Sequence, residues 1–348
     1  MRELAPHLVA AGHEVYCYER GRLPGTRTAD GIRCISTLGI EGKSVSTLSY
    51  GLTGAIDAAV RRLDVALVVN IANGFWLPLL RAARVPTLVN TDGLEWLRGK
   101  WSPTAKKVFR AGAKMTAVHA DRLVADSEEI ARIWEVEFGR PSTFIPYGAP
   151  LVDTPGADRL GEVGLAASPY VLSVARLVPE NNIHLLLDSA PALRERGLRT
   201  VVVGTGVGKT PLEDRIGAMA AAEEVTWLGH VHDQELLTQL WANCTAYVHG
   251  HSVGGTNPSL LQALGTGAPV VAFDTPFNLE VLADPSRLYG PSPGALTERV
   301  AEVVDLPDRR QELVAAGRRI VAERYTWEGV CASYQRELES LVRRRRGR

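Results

Sequence analysis

The sequence predicts an α/β protein of two doubly wound, Rossmann-like domains facing each other across a cleft. Three observations predict it. Short apolar strands alternate with helical stretches along nearly the whole chain, the pattern of parallel sheets whose strands are joined by crossover helices. The alternation stops between Pro146 and Pro169 and then restarts. Finally, 348 residues suit two domains of roughly 100–200 residues each. The expected boundaries are 1–148 for a first domain, 149–168 for a linker, 169–325 for a second domain, and 326–348 for a terminal helix with a basic tail.

Met1–Val9 reads as an amphipathic helix. Strands are then expected at Glu14–Tyr18, Ile32–Ser36, Val65–Val69, Thr87–Asn90, Arg122–Ala125 and Thr143–Ile145. Helices are expected near Val45–Leu63, Trp101–His119 and Ser127–Phe138, with Asp126 and Glu129 as a capping box. The Gly-, Asp- and Pro-containing stretch after Tyr147-Gly148-Ala149-Pro150 has no periodicity and reads as the linker. In the second half, strands are expected at Tyr170–Val174, Arg199–Val203, Val225–Leu228, Ala246–His249 and Pro269–Ala272. Helices fall at Asn182–Glu195, Leu212–Ala222, Gln234–Ala242, Pro258–Leu264 and Asn278–Ala283, and after Pro293 the chain is almost all helical. Ligands of such sheets bind beyond the carboxyl ends of the strands, so the loops there carry the functional question.

Composition excludes some classes. With 39 basic and 39 acidic side chains there is no cationic excess to attract a nucleic acid. No apolar run approaches the roughly 20 residues that span a bilayer. The four cysteines, Cys17, Cys34, Cys244 and Cys331, show no zinc spacing, which reads as a reduced cytoplasmic protein. The run Val342 to Arg348 reads as a solvated, frayed basic end.

Two segments look like phosphate or metal motifs and fail the test. Gly208-Lys209-Thr210 would need glycine at position 203, where Val203 stands; Gly204 and Gly206 would need glycine at 209, which is Lys209. His249 and His251 point to one side of an extended strand, yet no further ligands are evident nearby.

Two other segments look like halves of one anion site. Arg176 follows the Tyr170–Val174 strand and precedes Pro179-Glu180-Asn181-Asn182; a guanidinium there can hold a diphosphate through paired hydrogen bonds. The second segment runs from His249 through Ser252-Val253-Gly254-Gly255-Thr256 to Asn257-Pro258-Ser259 and on to Gln262. Asn257 reads as a helix cap and Pro258 as the first helical residue, behind glycines that let backbone N–H groups approach an anion.

Arg176 with its Pro-Glu-Asn sequel, the Gly254–Gln262 segment and the Gly267-Ala268-Pro269-Val270-Val271 strand resemble the donor domain of glycosyltransferase family 4, a GT-B family. Gly250 to Leu261, Asp92 to Trp96 with Lys100-Trp101, and Phe144 to Ala149 are similar to a rhamnosyltransferase-like branch with a DUF1972-type N-terminal domain. The resemblance implies a retaining hexosyltransferase that takes a nucleoside diphosphate sugar, needs no essential metal or other cofactor, and serves a glycan or lipid-linked acceptor in polysaccharide biosynthesis. It implies that Arg176, Asn181, Gly254, Gly255, Thr256, Asn257, Ser259 and Gln262 bind the donor. Asn181 stands where the family has a lysine, and Gly254 and Gln262 where it has paired glutamates. On the acceptor side, Asp92 and Glu95 follow a strand end, where either could orient a hydroxyl or take its proton. The chain begins inside a helix that family members reach after a strand and a glycine-rich loop, so the N-terminal domain is expected to lack its first strand. Lys106, Lys107, Arg110 and Lys114, interleaved with Val108, Phe109 and Met115, read as a solvated helix face or a peripheral contact with an anionic membrane. The rival readings are an epimerase-like GT-B enzyme and a shortened chain that binds nucleotide sugar or a partner without turnover.

Overall fold

The computed structural model describes residues 1–21, 25–42, 45–91, 93–99, 101–166, 168–206, 208 and 210–346. They form two compact units, Met1–Pro146 with Trp327–Arg348, and Tyr147–Thr326.

In chain order the first unit holds α1 (Leu4–Ala10), β1 (Val15–Arg20), β2 (Gly25–Ala29), β3 (Ile32–Thr37), α2 (Ser46–Arg61), β4 (Ala66–Val69), α3 (Leu77–Ala82), β5 (Thr87–Asn90), α4 (Pro103–His119), β6 (Arg122–Ala125), α5 (Glu128–Phe138) and β7 (Thr143–Phe144). Its strands make two sheets, ordered β1-β3-β2 and β4-β5-β6-β7. All pairs are parallel except β2 with β3. Among the described residues β1 pairs only with β3 and β4 only with β5, so each leaves an edge open. A cavity of about 1150 Å³ lies against both edges. The cap of α5 is Ser127, whose hydroxyl accepts the Ile130 N–H at 3.0 Å. Asp126, the expected cap, is buried one residue too early for that geometry.

The second unit holds β8 (Tyr170–Val174), α6 (Ile183–Glu195), β9 (Arg199–Val203), α7 (Pro211–Ala221), β10 (Thr226–Trp227), α8 (Gln234–Asn243), β11 (Ala246–His249), α9 (Pro258–Thr266), β12 (Val270–Phe273), α10 (Pro276–Leu282), β13 (Leu288–Tyr289), α11 (Pro293–Asp305) and α12 (Pro307–Arg324). One six-stranded sheet runs β10-β9-β8-β11-β12-β13, every pair parallel. Its middle strands are buried on both faces, in keeping with their largely apolar sequences. The aperiodic stretch expected as a linker counts with this unit: Leu160 is buried, and Asp158 accepts from Gln239 at 2.8 Å.

The chain ends in α13 (Trp327–Arg346), which belongs to the first unit. Tyr334 accepts from Asn90 Nδ2 at 2.7 Å, Glu337 pairs with Arg122, and Cys331, Tyr334 and Leu338 join the core of Leu4, Leu8, Leu88 and Val124. The basic end is expected to fray; its last two residues lie outside the described residues, and the part before them is ordered. It stays helical through Arg346, and Arg345 donates to the Leu63 carbonyl at 2.9 Å.

Candidate functional site

In the second unit the strands add outward in both directions from one point. From β8 the chain moves to β9 and β10 on one side; β11, β12 and β13 extend the other. The order therefore reverses between β8 and β11, which are parallel neighbours. At such a switch point the loops leaving the two carboxyl ends diverge and open a crevice, the preferred ligand position in an open α/β sheet. The loop after β8 carries Arg176; the loop after β11 carries the glycine-rich segment.

These loops are knitted together. Asn182 Nδ2 donates to the Gly250 carbonyl at 2.9 Å, and Ser252 donates to the Glu180 carbonyl from both its N–H and its hydroxyl, each at 2.9 Å. Gly250 lies so close to the first loop that a Cβ there would stand 2.3 Å from the Asn181 carbonyl oxygen. The loop after β12 joins them, since Asn278 Nδ2 donates to the His251 carbonyl at 3.0 Å. Gly254 has φ +137°, a conformation that side chains rarely tolerate, and it turns the chain toward α9.

At α9 the expected cap is found. Asn257 Oδ1 accepts the Ser259 N–H at 3.0 Å and the Ser259 hydroxyl at 2.8 Å, with Pro258 in the first turn. Ser259 is thereby engaged with the cap, and what α9 presents to an anion is its dipole and the loop ahead of it. Thr256 is buried at the base of that loop, and Gly255 is half-buried.

Arg176 is exposed just beyond β8, and its guanidinium has no partner among the described residues. Asn181 has a partner within its own loop. It is 3% exposed, and its amide nitrogen donates to the Arg176 carbonyl at 2.8 Å, so it braces the arginine's own loop. Gln262 is half-buried near Gln234, with its amide oxygen 3.5 Å from Gln234 Nε2. His249 and His251 stack, with centroids 4.3 Å apart and rings within 10° of parallel. Burial holds the fully enclosed His249 imidazole well below its ordinary pKa, which keeps it neutral. No group of three His, Cys, Asp or Glu side chains suited to a metal occurs among the described residues.

On the other unit, Asp92 lies outside the described residues. Glu95 is buried, paired with Arg98 at 3.0 Å and accepting from the Trp101 indole. Its charge is thus balanced inside the fold. The bracing by Asn182, Ser252 and Asn278 was missed by the sequence reading; the signal available was polar residues beside loop glycines.

Two parallel-sheet units with a switch-point site define the GT-B class. The residues divide between two glycosyltransferase domains: 1–148 match the glycosyl transferase 4-like domain, and 164–320 match glycosyl transferases group 1. The chain is similar to a GDP-mannose-dependent α-(1-6)-phosphatidylinositol monomannoside mannosyltransferase of Mycobacterium tuberculosis, 29% identical over 185 residues. That match takes in 50% of this chain and 47% of the relative. The Mycolicibacterium smegmatis protein of that name is 27% identical over 206 residues, 54% of each chain. The chain thus spans about half the length of the curated relatives it matches. Among solved structures it is similar to sucrose-phosphate synthase from Thermosynechococcus elongatus, with TM-score 0.81 and 18% identity over 98% of this chain and 92% of that one. It is also similar to Anabaena HepE in complex with UDP-glucose, with TM-score 0.72 and 16% identity over 89% and 87%.

Proposed function

We propose that the chain is a retaining glycosyltransferase moving a hexosyl or deoxyhexosyl group from a nucleoside diphosphate sugar to a glycan or lipid-linked acceptor, in polysaccharide or glycolipid assembly. The observation that carries this reading is the exposed Arg176 guanidinium, without a partner among the described residues, at the β8/β11 switch point beside a braced glycine loop and the α9 N-terminus. When the bond between the anomeric carbon and the phosphate breaks, its electron pair leaves with the nucleoside diphosphate. Arg176 and the α9 dipole meet that growing negative charge in a loop frame that need not reorganise. Asp92 is assigned the acceptor hydroxyl.

The relatives named for GDP-mannose and a phosphatidylinositol mannoside support a hexose donor and a lipid-linked acceptor. The Gly250–Leu261 motif favours a rhamnosyl-type donor within that class. No helix among the described residues is long and apolar enough to cross a membrane. Exposed Val108, next to Lys107 on α4, supports a peripheral contact at the inner face of the membrane, for a cytoplasmic protein.

Titration with UDP-, GDP- and dTDP-hexoses, scored by release of nucleoside diphosphate and mass of product, tests the reading and selects the donor. In the donor that turns over, Arg176→Ala is expected to lower kcat/KM by about 10²–10³. Its thermal midpoint should not change, because the exposed guanidinium holds no other group among the described residues in place. Unchanged turnover in Arg176→Ala would overturn the assignment.

A further inference from the structure

The parallel register of β1 with β3 sets Cys17 directly opposite Cys34. Neighbouring strands lie roughly 4.8 Å apart, inside the roughly 4.4–6.8 Å between Cα atoms from which a disulfide closes. Residues in register also project to one face of the sheet. Both thiols are free and half-buried, while the other two cysteines are sealed, Cys244 at 0% and Cys331 at 2% exposure.

The neighbourhood is that of a reactive pair. On its other side Cys34 faces Arg27 of β2, whose guanidinium is held by Glu19 through bonds of 3.1 and 2.9 Å. Arg27, Cys34 and Cys17 thus form a row across three strands, with a fixed cation at one end. Cys17, at the other end, borders the cavity beside the open edge of β1. Burial and the adjacent Cys34 push the Cys17 thiol above its ordinary value.

We propose that Cys17 and Cys34 are a dithiol modification site that a small disulfide, such as oxidised glutathione, converts into an intrachain disulfide. The Cys34 thiolate attacks one sulfur of oxidised glutathione, the S–S bond breaks, and one reduced glutathione leaves with the proton lost by Cys34. Cys17 then attacks the mixed disulfide at the Cys34 sulfur and releases the second reduced glutathione with its own proton. Two thiols are oxidised, one glutathione disulfide is reduced, and β1 is tied to β3.

The test is incubation of the native full chain with oxidised glutathione, followed by alkylation, peptide mapping and intact mass. The expected product is a linked Cys17–Cys34 peptide pair with loss of two hydrogens, reversed by dithiothreitol, formed at least about tenfold faster than any modification of Cys244 or Cys331. Cys17→Ser should stop at a glutathione adduct on Cys34. The wild-type map is decisive even if that variant folds poorly. Glutathione adducts that persist on the wild-type chain without the linked peptide, or equal reactivity at Cys331, would overturn the proposal.

Discussion

In the second unit six strands pair without a break, and β8, β9, β11 and β12 are buried along nearly their whole length. In the first unit the strands divide into two sheets; β4 is half-buried, with Val69 at 52% exposure, while its neighbour β5 is wholly buried. The difference shows in the loops at the carboxyl ends. Those of the second unit are tied to one another by side chain to backbone bonds, and the Arg176 guanidinium has no partner there among the described residues. In the first unit the corresponding charge, Glu95, is consumed by Arg98 and Trp101. Rigidity of the frame and availability of the charge go together in the unit that carries the anion site, which is what a preorganised site requires.

Substituting glycines in the two units gives the largest expected contrast. Gly250→Ala must push the Asn181 carbonyl away, at a cost of about 2–3 kcal/mol typical of overpacking, and should loosen the Arg176 loop enough to weaken nucleoside diphosphate binding measured by calorimetry. Gly25→Ala, on the edge strand β2 with nothing within 4 Å of the added carbon, should leave both denaturant midpoint and binding unchanged. Equal tolerance at both positions would remove the argument that the second unit is the rigid one.

A smaller effect is expected at the cap. Asn257→Ala removes the acceptor for the Ser259 N–H and should cost about 1 kcal/mol in unfolding experiments, with Asn257→Asp retaining the cap. A loss of diphosphate affinity in Asn257→Ala well beyond its loss of stability would mean that Asn257 also touches the ligand.

The smallest effect is a slope in pH. His249 takes up a proton far less readily in the folded chain than in the unfolded one, whose pKa is near 6.5. The unfolded state therefore binds more protons as pH falls. The contribution to stability is fully present above about pH 6.5 and is lost progressively below it. Unfolding midpoints between pH 7 and pH 5 should fall less steeply in His249→Leu than in the wild type. Parallel slopes would show that the imidazole is not held neutral.

Much of the second unit was legible in its sequence, because its determinants are local. The strands Tyr170–Val174, Arg199–Val203 and Ala246–His249 are short, largely apolar runs, and the Asn257-Pro258 start of α9 is a cap written in two adjacent residues. Less was legible in the first unit. The antiparallel strand β2, Gly25–Ala29, is exposed along nearly all of its length and lacks the apolar alternation that marks a strand. Asp126 looked like a cap because its spacing to Glu129 is right, yet the backbone turns into the helix only at Ser127.

By itself the sequence determined the alternation of strand and helix, the two-part division and the chemistry of the loop residues, since period, turn residues and caps act within a few positions. Tertiary structure alone decided which of those residues remain available. Asn181 bonds back to the Arg176 carbonyl, Glu95 is neutralised by Arg98, and α13 returns across 244 positions to place Tyr334 on Asn90. Such pairings follow from where strands and helices come to rest, and a buried polar group takes the nearest partner that the packed fold offers it.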